Sequence, residues 1–443
     1  MSLEVPSSRR AAPAPVPAPL LAPLLERAVA GLLGAYVLVQ FFGPPLLAAG
    51  PSWALWPSLA DLLLWAALGL GLGYRRPPAP EHRAVWQALL VIGALCLLSF
   101  VLLLVLRDPG LGAALPFGLF QLYKLAQTLA AFWLMSRLPL SDPAFAATRR
   151  RWGTAALLSF GLMVGGVVWT TFSGTLPDTL GQVLPRGQGV AGPWEGFYRH
   201  YEQGLGSIGY NHGHVAAMVL LAGALALLLR PGRWTPLVLG SILVASFLSG
   251  SRAGFAGAAL FVLLQGFRTP VLATLALTAL AAGAVAATPW LGAELGDLVS
   301  RQSTLLEATE AGNLAGRTDI WTAYLDALSA EPLRLLIGSG FGSGVGNLGS
   351  YAHLLPLQVL YETGLAGLTV LGLLFGLLFT RLRRAGTHAA GVGTHLLAAL
   401  WLTAITTDTF YPNSAFGSFL PLLSLTLALA LARSPASPRP FPS

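Results

Sequence analysis

The chain reads as an all-α, polytopic integral membrane protein of about twelve transmembrane helices. Three observations lead there. Of its 443 residues 55% are hydrophobic and only 10% are charged, and mean hydropathy is +0.68; a soluble chain of this length does not carry so much apolar surface. Apolar runs of roughly 20 residues, enough to cross a hydrocarbon core about 30 Å thick, recur near 27–48, 53–74, 84–106, 112–137, 153–172, 211–229, 234–250, 252–267, 269–291, 355–380, 391–408 and 415–432. No window alternates with the two-residue period of a strand, which argues against a β-barrel.

Arginine placement sets the sidedness. Of the 26 basic residues only Lys124 is lysine, which leaves 25 arginines; 18 fall on one side of the spans. The other side receives 7: Arg107, Arg186, Arg199, Arg252, Arg301, Arg317 and Arg334. The basic side is the cytoplasmic one, so both termini are expected there. Residues 1–26, with prolines alternating among alanines, are expected to form a disordered tail without a cleavable secretory signal. Residues 27–433 then form a single transmembrane domain, and 434–443 a second tail. The formal charge of +8 is scattered between spans and not gathered on one basic face, so nucleic acid is not an expected partner. A single cysteine, Cys96, inside an apolar run rules out an intrachain disulfide.

Two loops, about 173–210 and 292–354, face outward, the second between the ninth and tenth spans. Within it Leu295–Leu306 and Asp319–Leu328 carry apolar residues at helical spacing, with Thr318 or Asp319 placed to cap the latter. A loop of this length with its own helices is more often functional than a connector.

Cations that break the charge sorting point to an anionic ligand. Arg252 ends the sequence Ser249-Gly250-Ser251-Arg252 at the mouth of an apolar hairpin, where an unpaired guanidinium is costly; reaching out to the interface is the competing reading. Arg317, in Gly316-Arg317-Thr318-Asp319-Ile320-Trp321, precedes a loop helix, with a contact to Asp319 as its alternative. Two guanidinium forks can grip a diphosphate bidentately. His353, in Tyr351-Ala352-His353, lies just before the tenth span. An imidazole there can take a proton from a hydroxyl near neutral pH, or else cap a helix at the interface. The run Gly338, Gly340, Gly342, Gly344, Gly346 and Gly349 lacks a strand–loop–helix context, so it is expected to pack closely at a membrane re-entry and not to cradle a nucleotide.

Other polar residues admit two readings each. His214, in Tyr210-Asn211-His212-Gly213-His214, either lines an acceptor path or caps the sixth span. Histidines at i and i+2 point apart on a helix and make a poor metal pair. Arg199 and Arg301 either extend an electropositive cavity or pair within their loops, with Glu195 or Glu202 and with Glu294 or Glu307. Asp61 and Lys124 interrupt apolar spans and are expected to pair with each other, joining the second and fourth helices, unless the lysine reaches to the interface or the two serve a proton relay.

Taken in order, Ser249-Gly250-Ser251-Arg252 opening a helix, Gly316-Arg317 with Trp321, Ile337-Gly338-Ser339-Gly340, and His353 with Gln358, Glu362 and Gly364 resemble the signature of the O-antigen ligase and O-antigen polymerase superfamily of bacterial membrane glycosyltransferases. The resemblance covers roughly residues 205–380, with the earlier spans adding only topology. It implies a glycan donor on undecaprenyl diphosphate, a reaction at the outer face of the bacterial cytoplasmic (inner) membrane, and no metal or other cofactor. By that resemblance Arg252 and Arg317 contact the donor diphosphate and His353 activates the acceptor hydroxyl. Tyr351 and Glu362 join Arg199, Arg301 and His214 as substrate-binding residues. The family usually has asparagine directly after this histidine, whereas here Leu354 follows.

The residues themselves agree with that chemistry. Undecaprenyl diphosphate is a good leaving group once its charge is neutralised, so two arginines can stand in for a divalent cation, and no Asp-x-Asp pair occurs in the chain. Direct attack by the activated hydroxyl at the anomeric carbon would invert its configuration. Within the family a polymerase of surface or exopolysaccharide repeats is preferred over a ligase transferring glycan to lipid A core, because nothing identifies a core-binding site. Membrane lipids and glycan-export or chain-length proteins are the other expected partners. A flippase for the same lipid-linked sugar, or an anion transporter, is the alternative class; transporters commonly show internal repeats and broken helices, and no repeat is evident in the sequence.

Overall fold

A computed structural model of the chain describes residues 21–39, 58–74, 76–106, 111–173, 212–266, 317–405, 407–412 and 419–432. Every regular element among them is helical. The first group comprises α1 (Leu21–Val39), α2 (Leu59–Leu72), α3 (Pro80–Leu106), α4 (Leu111–Arg137) and α5 (Ala146–Ser173). Next come α6 (His212–Leu229), α7 (Thr235–Leu248) and α8 (Arg252–Gly266), then the short helices α9 (Arg317–Ala330), α10 (Pro332–Ile337) and α11 (Ser343–Leu348). The chain closes with α12 (Leu355–Ala385), α13 (His388–Ala404) and α14 (Phe419–Leu431).

Three helical segments, Pro80–Val105, Pro143–Val168 and Leu355–Ala385, are long and apolar enough to cross a membrane. Leu59–Leu72, Gly213–Leu229, Thr235–Leu248, Arg252–Gly266 and Phe419–Leu431 are apolar but shorter. These are the helices of a membrane protein. The expected ninth span, 269–291, lies outside the described residues.

α6 and α14 form the core. Residues 213–228 of α6 are buried on every side, as are 421–431 of α14, because both sequences are apolar all round and offer no polar face to a solvent. α6 packs against α5, α7, α8 and α13, and α14 against α4 and α13. Of the expected tail, residues 1–26, positions 1–20 lie outside the described residues and 21–26 are helical, within α1.

Lys124 and Asp61 do meet. Lys124 Nζ lies 2.9 Å from Asp61 Oδ1, and both side chains are sealed from the surface. Gln127 Nε2 donates to the same oxygen at 2.6 Å, and the Ser58 N–H to Oδ2 at 2.8 Å. The carboxylate thus caps α2 and ties it to α4.

The expected span at 355–380 is broken. Gly364, inside α12, has φ 68° and ψ −171°, a combination open essentially to glycine alone. The break frees two carbonyls that a continuous helix would consume. That of Tyr361 accepts the Ser339 N–H at 2.7 Å, and that of Glu362 accepts the Gly340 N–H at 3.2 Å and the Ser99 hydroxyl at 2.5 Å. The glycine-rich segment after α10 therefore docks into the break and against α3. At Gly342, where φ is 97°, a side chain would meet the backbone of Gly118 in α4. The run is a close-packed wedge between membrane helices, as its composition led one to expect.

Candidate functional site

The site forms where the starts of α8, α9 and α12 meet the turn after α13. Ser251 Oγ accepts the Gly254 N–H at 3.1 Å, so Ser251 is the N-cap of α8 and Arg252 its first helical residue. Ser249 Oγ in turn accepts the Ser251 N–H at 3.2 Å. The Ser-Gly-Ser-Arg sequence is thus a helix start that fixes where its arginine emerges.

Arg317 is the first described residue of α9, and Thr318 and Asp319, expected as caps, are themselves helical, with Asp319 placed to complement the helix dipole. One turn on, Trp321 Nε1 donates to the carbonyl of Ala352 at 2.8 Å. Tyr324 then places its hydroxyl 2.8 Å from the Ser350 carbonyl and 3.0 Å from Gln358 Oε1. These contacts clamp α9 over residues 350–352 and bring Arg317 to His353.

His353 is the only non-glycine residue with positive φ among those described, at 51°. The left-handed conformation is costly for a residue with a Cβ and persists because both neighbours are held: the Ala352 N–H donates to Gln358 Oε1 at 2.7 Å and its carbonyl accepts from Trp321, while the Leu354 carbonyl accepts the Gln358 N–H at 3.0 Å. The imidazole keeps 24% of its surface exposed, and its Nδ1 lies 3.6 Å from Oδ2 of Asp408, which is wholly buried. That separation is too long for a formed hydrogen bond and becomes an ion pair only when the imidazole is protonated. It leaves Nε2 as the ring nitrogen not turned to Asp408.

The four groups share one electrostatic neighbourhood. Burial and the repulsion of Arg252 push the Arg317 guanidinium down from its ordinary value, while Asp408 pushes it up. Burial and the charge of Arg317 push His353 down to about 4. His353 is therefore neutral at pH 7, beside two guanidiniums that act on each other and one enclosed carboxylate. The expected Arg317–Asp319 and helix-capping alternatives give way to this grouping: Asp319 is exposed at the helix surface, and Leu354, not His353, stands at the N-cap of α12.

Glu362, expected to bind substrate, instead organises the wall behind the site. It is 0% exposed and accepts the N–H groups of Gly342 and Gly344 at 2.8 and 3.0 Å, Gln358 Nε2 at 2.9 Å and the Tyr411 hydroxyl. A carboxylate with this many donors is held by the fold, with no face turned to a ligand. Tyr351 is 9% exposed and packs in an apolar cluster with Phe341, Leu355 and Tyr411. His214 is 1% exposed on α6. Arg199 and Arg301 lie outside the described residues.

Sequence reasoning passed over Asp408, Tyr324 and Tyr411. Asp408 had a signal: it is the lone carboxylate after Glu362 and stands at the end of an apolar span, where an ionisable residue is a functional candidate by default. Tyr324 and Tyr411 carry no such mark, because their roles depend on which loops the fold brings to them. Behind Phe341 and Tyr411 an apolar cleft of about 130 Å³ continues between α3, α4, α12 and α14, lined by residues such as Ile92, Val359, Leu371 and Leu423. No protein-family profile matches the chain, and no curated protein matches it.

Proposed function

We propose that this protein is a metal-independent, inverting membrane glycosyltransferase that moves a glycan from undecaprenyl diphosphate to an acceptor sugar hydroxyl, polymerising surface or exopolysaccharide repeat units. The observation that carries this reading is the meeting of Arg252, Arg317, His353 and Asp408 at the ends of four separate segments. His353 Nε2 takes the proton of the acceptor hydroxyl, and Asp408 stabilises the imidazolium that forms, as a carboxylate does in a catalytic triad. The acceptor oxygen attacks the anomeric carbon from the face opposite the diphosphate. The bond from that carbon to the diphosphate oxygen breaks, and the charge left on the diphosphate falls to Arg252 and Arg317. The apolar cleft beside this cluster suits a donor delivered from the bilayer. The same reading holds twelve spans, both termini in the cytoplasm, and a site facing outward from the inner membrane.

The test is a transfer assay with purified protein and its cognate undecaprenyl-diphosphate glycan, with EDTA present. Lengthening of lipid-linked glycan by the native chain, lost in Arg252→Ala, Arg317→Ala and His353→Ala, supports the polymerase. Transfer only to an added lipid A core acceptor makes it a ligase. The broken α12 favours one other reading, since transporters place ion and substrate sites at interrupted helices. Movement of labelled lipid across a bilayer with no new glycosidic bond would replace the enzyme with a flippase.

A further inference from the structure

We infer that α10 dips into the outer edge of the lipid bilayer and anchors the catalytic loop there, with the acyl-chain region of one leaflet as its partner. The helix is Pro332-Leu333-Arg334-Leu335-Leu336-Ile337, and none of its residues is buried. Leu333, Leu335, Leu336 and Ile337 are 66%, 38%, 54% and 41% exposed, so apolar surface stays uncovered by the described residues even where the helix backbone packs on α12. Water is a poor medium for such a segment.

Two rulers place α10 at membrane depth. The uncharged stretch of α12 from the break to Arg381, residues 365–380, rises about 24 Å at 1.5 Å per residue, against a hydrocarbon core about 30 Å thick. The break, and the α10 backbone docked on it at Leu336 and Gly338, therefore lie inside that thickness when Arg381 sits at the opposite surface. On α3, Leu103 contacts Gly340, and the rise from Arg83 to Leu103 is roughly 30 Å. Both rulers put the segment at the far boundary of the same hydrocarbon layer. Leu365 and Leu373 of α12 are likewise exposed, and α10 packs on α12 at Gly364, next to Leu365. The charges at the helix start, Arg334 and Glu331, neutralise each other at 2.5 Å, which suits the headgroup zone.

This anchoring goes beyond the proposed glycosyl transfer and rests only on the membrane character of the chain. Its consequence is positional. α10 follows the C-terminal end of α9 directly, so holding it in the leaflet limits how far α9, tied to residues 350–352 by Trp321 and Tyr324, can leave the membrane surface.

The experiment is site-directed spin labelling in vesicles of phosphatidylethanolamine and phosphatidylglycerol. Leu333→Cys and Leu336→Cys are compared with Leu373→Cys on α12 and with Asp142→Cys in the exposed α4–α5 connection, all in a Cys96→Ala background. Labels at 333 and 336 should relax with oxygen as at 373 and be shielded from a water-soluble nickel chelate. Nickel access as at 142 would overturn the inference, and so would exclusion of both reagents, which means that another part of the chain covers the helix. A diazirine-bearing lipid gives a readout on the unsubstituted chain: adducts are expected on 332–337 as well as on 365–380, and adducts on the latter alone would sink the idea. Neither readout uses activity, so failure here and failure of the transferase reading are separate results.

Discussion

The indole N–H of Trp321 bonds to the carbonyl of Ala352 at 2.8 Å, and of the bonds that join the two halves of the site it is the one next to His353. Trp321 lies one helical turn after Arg317, and Ala352 is the residue before His353. Replacing Trp321 with phenylalanine keeps an aromatic body against α12 but removes the bond that sets the distance between cation and imidazole. A displacement of about 1 Å at reacting groups can cost roughly 100-fold, so Trp321→Phe should lower kcat by about 10–100-fold. Circular dichroism and the melting temperature should stay near native. An unchanged kcat would show that Trp321 is packing alone.

The charge of Arg317 is one of the two causes that hold His353 down to about 4, with Asp408 and Arg252 the other charged groups of the cluster. Lowering pH through about 4 protonates the imidazole of the free enzyme and removes its capacity to accept a proton. The acid limb of kcat/KM, which reports the free enzyme, should therefore fall near pH 4 and not near 6.5. Binding a diphosphate at Arg317 cancels the positive charge facing His353 and favours the imidazolium, so the acid limb of kcat should lie at higher pH than that of kcat/KM. Coinciding limbs would mean that the anion does not bind beside His353. His353→Ala should abolish the limb together with activity, by roughly 100–10,000-fold, the usual contribution of a general base.

Much of this was legible in the sequence, for identifiable reasons. Apolar runs report burial in lipid or protein whatever the neighbours are, so the helical architecture and most helix positions could be read directly. Arg252, Arg317 and His353 stood out because their charge conflicts with their surroundings. The break at Gly364 was not legible, although that glycine belongs to the motif, because a glycine in an apolar run is compatible with a continuous helix; its backbone angles and the carbonyls of Tyr361 and Glu362, diverted to Ser339, Gly340 and Ser99, reveal it. Glu362 misled for the opposite reason. A carboxylate in an apolar span does signal something buried and specific, yet whether it meets a ligand or the backbone of Gly342 and Gly344 depends on a fold that spacing does not encode.

The Lys124–Asp61 pair makes a prediction about stability. Breaking a buried ion pair by removing one partner leaves an uncompensated charge and typically costs about 3–5 kcal/mol. Lys124→Met should therefore destabilise the detergent-solubilised protein by about that much, because Asp61 keeps only Gln127 and the backbone of Ser58. Asp61→Asn with Lys124→Met removes both charges and should recover a large part of the loss. Thermal unfolding of the native chain, Lys124→Met, Asp61→Asn and the double variant measures the coupling directly; additive losses would show that the two side chains do not stabilise each other.

Leu354 stands where the family that the chain resembles usually has asparagine, and the structure gives that position a role. It is the N-cap of α12, with extended backbone at φ −147° and no side-chain capping bond. Asparagine is among the strongest N-capping residues, worth about 1 kcal/mol over an uncapped start. Pro356 lacks an N–H, so the carboxamide of Leu354→Asn would have the N–H of Leu357 as its target. Against this gain stands the loss of the Leu354 side chain from the cluster of Tyr324 and Tyr361. The net change in stability should therefore be small, within about 1 kcal/mol either way. If the amide serves only as a cap, kcat/KM of Leu354→Asn should equal that of the native chain. A rise in kcat at constant stability would instead place the amide beside His353 in the reaction itself, and would mark Leu354 as a residue that slows this enzyme.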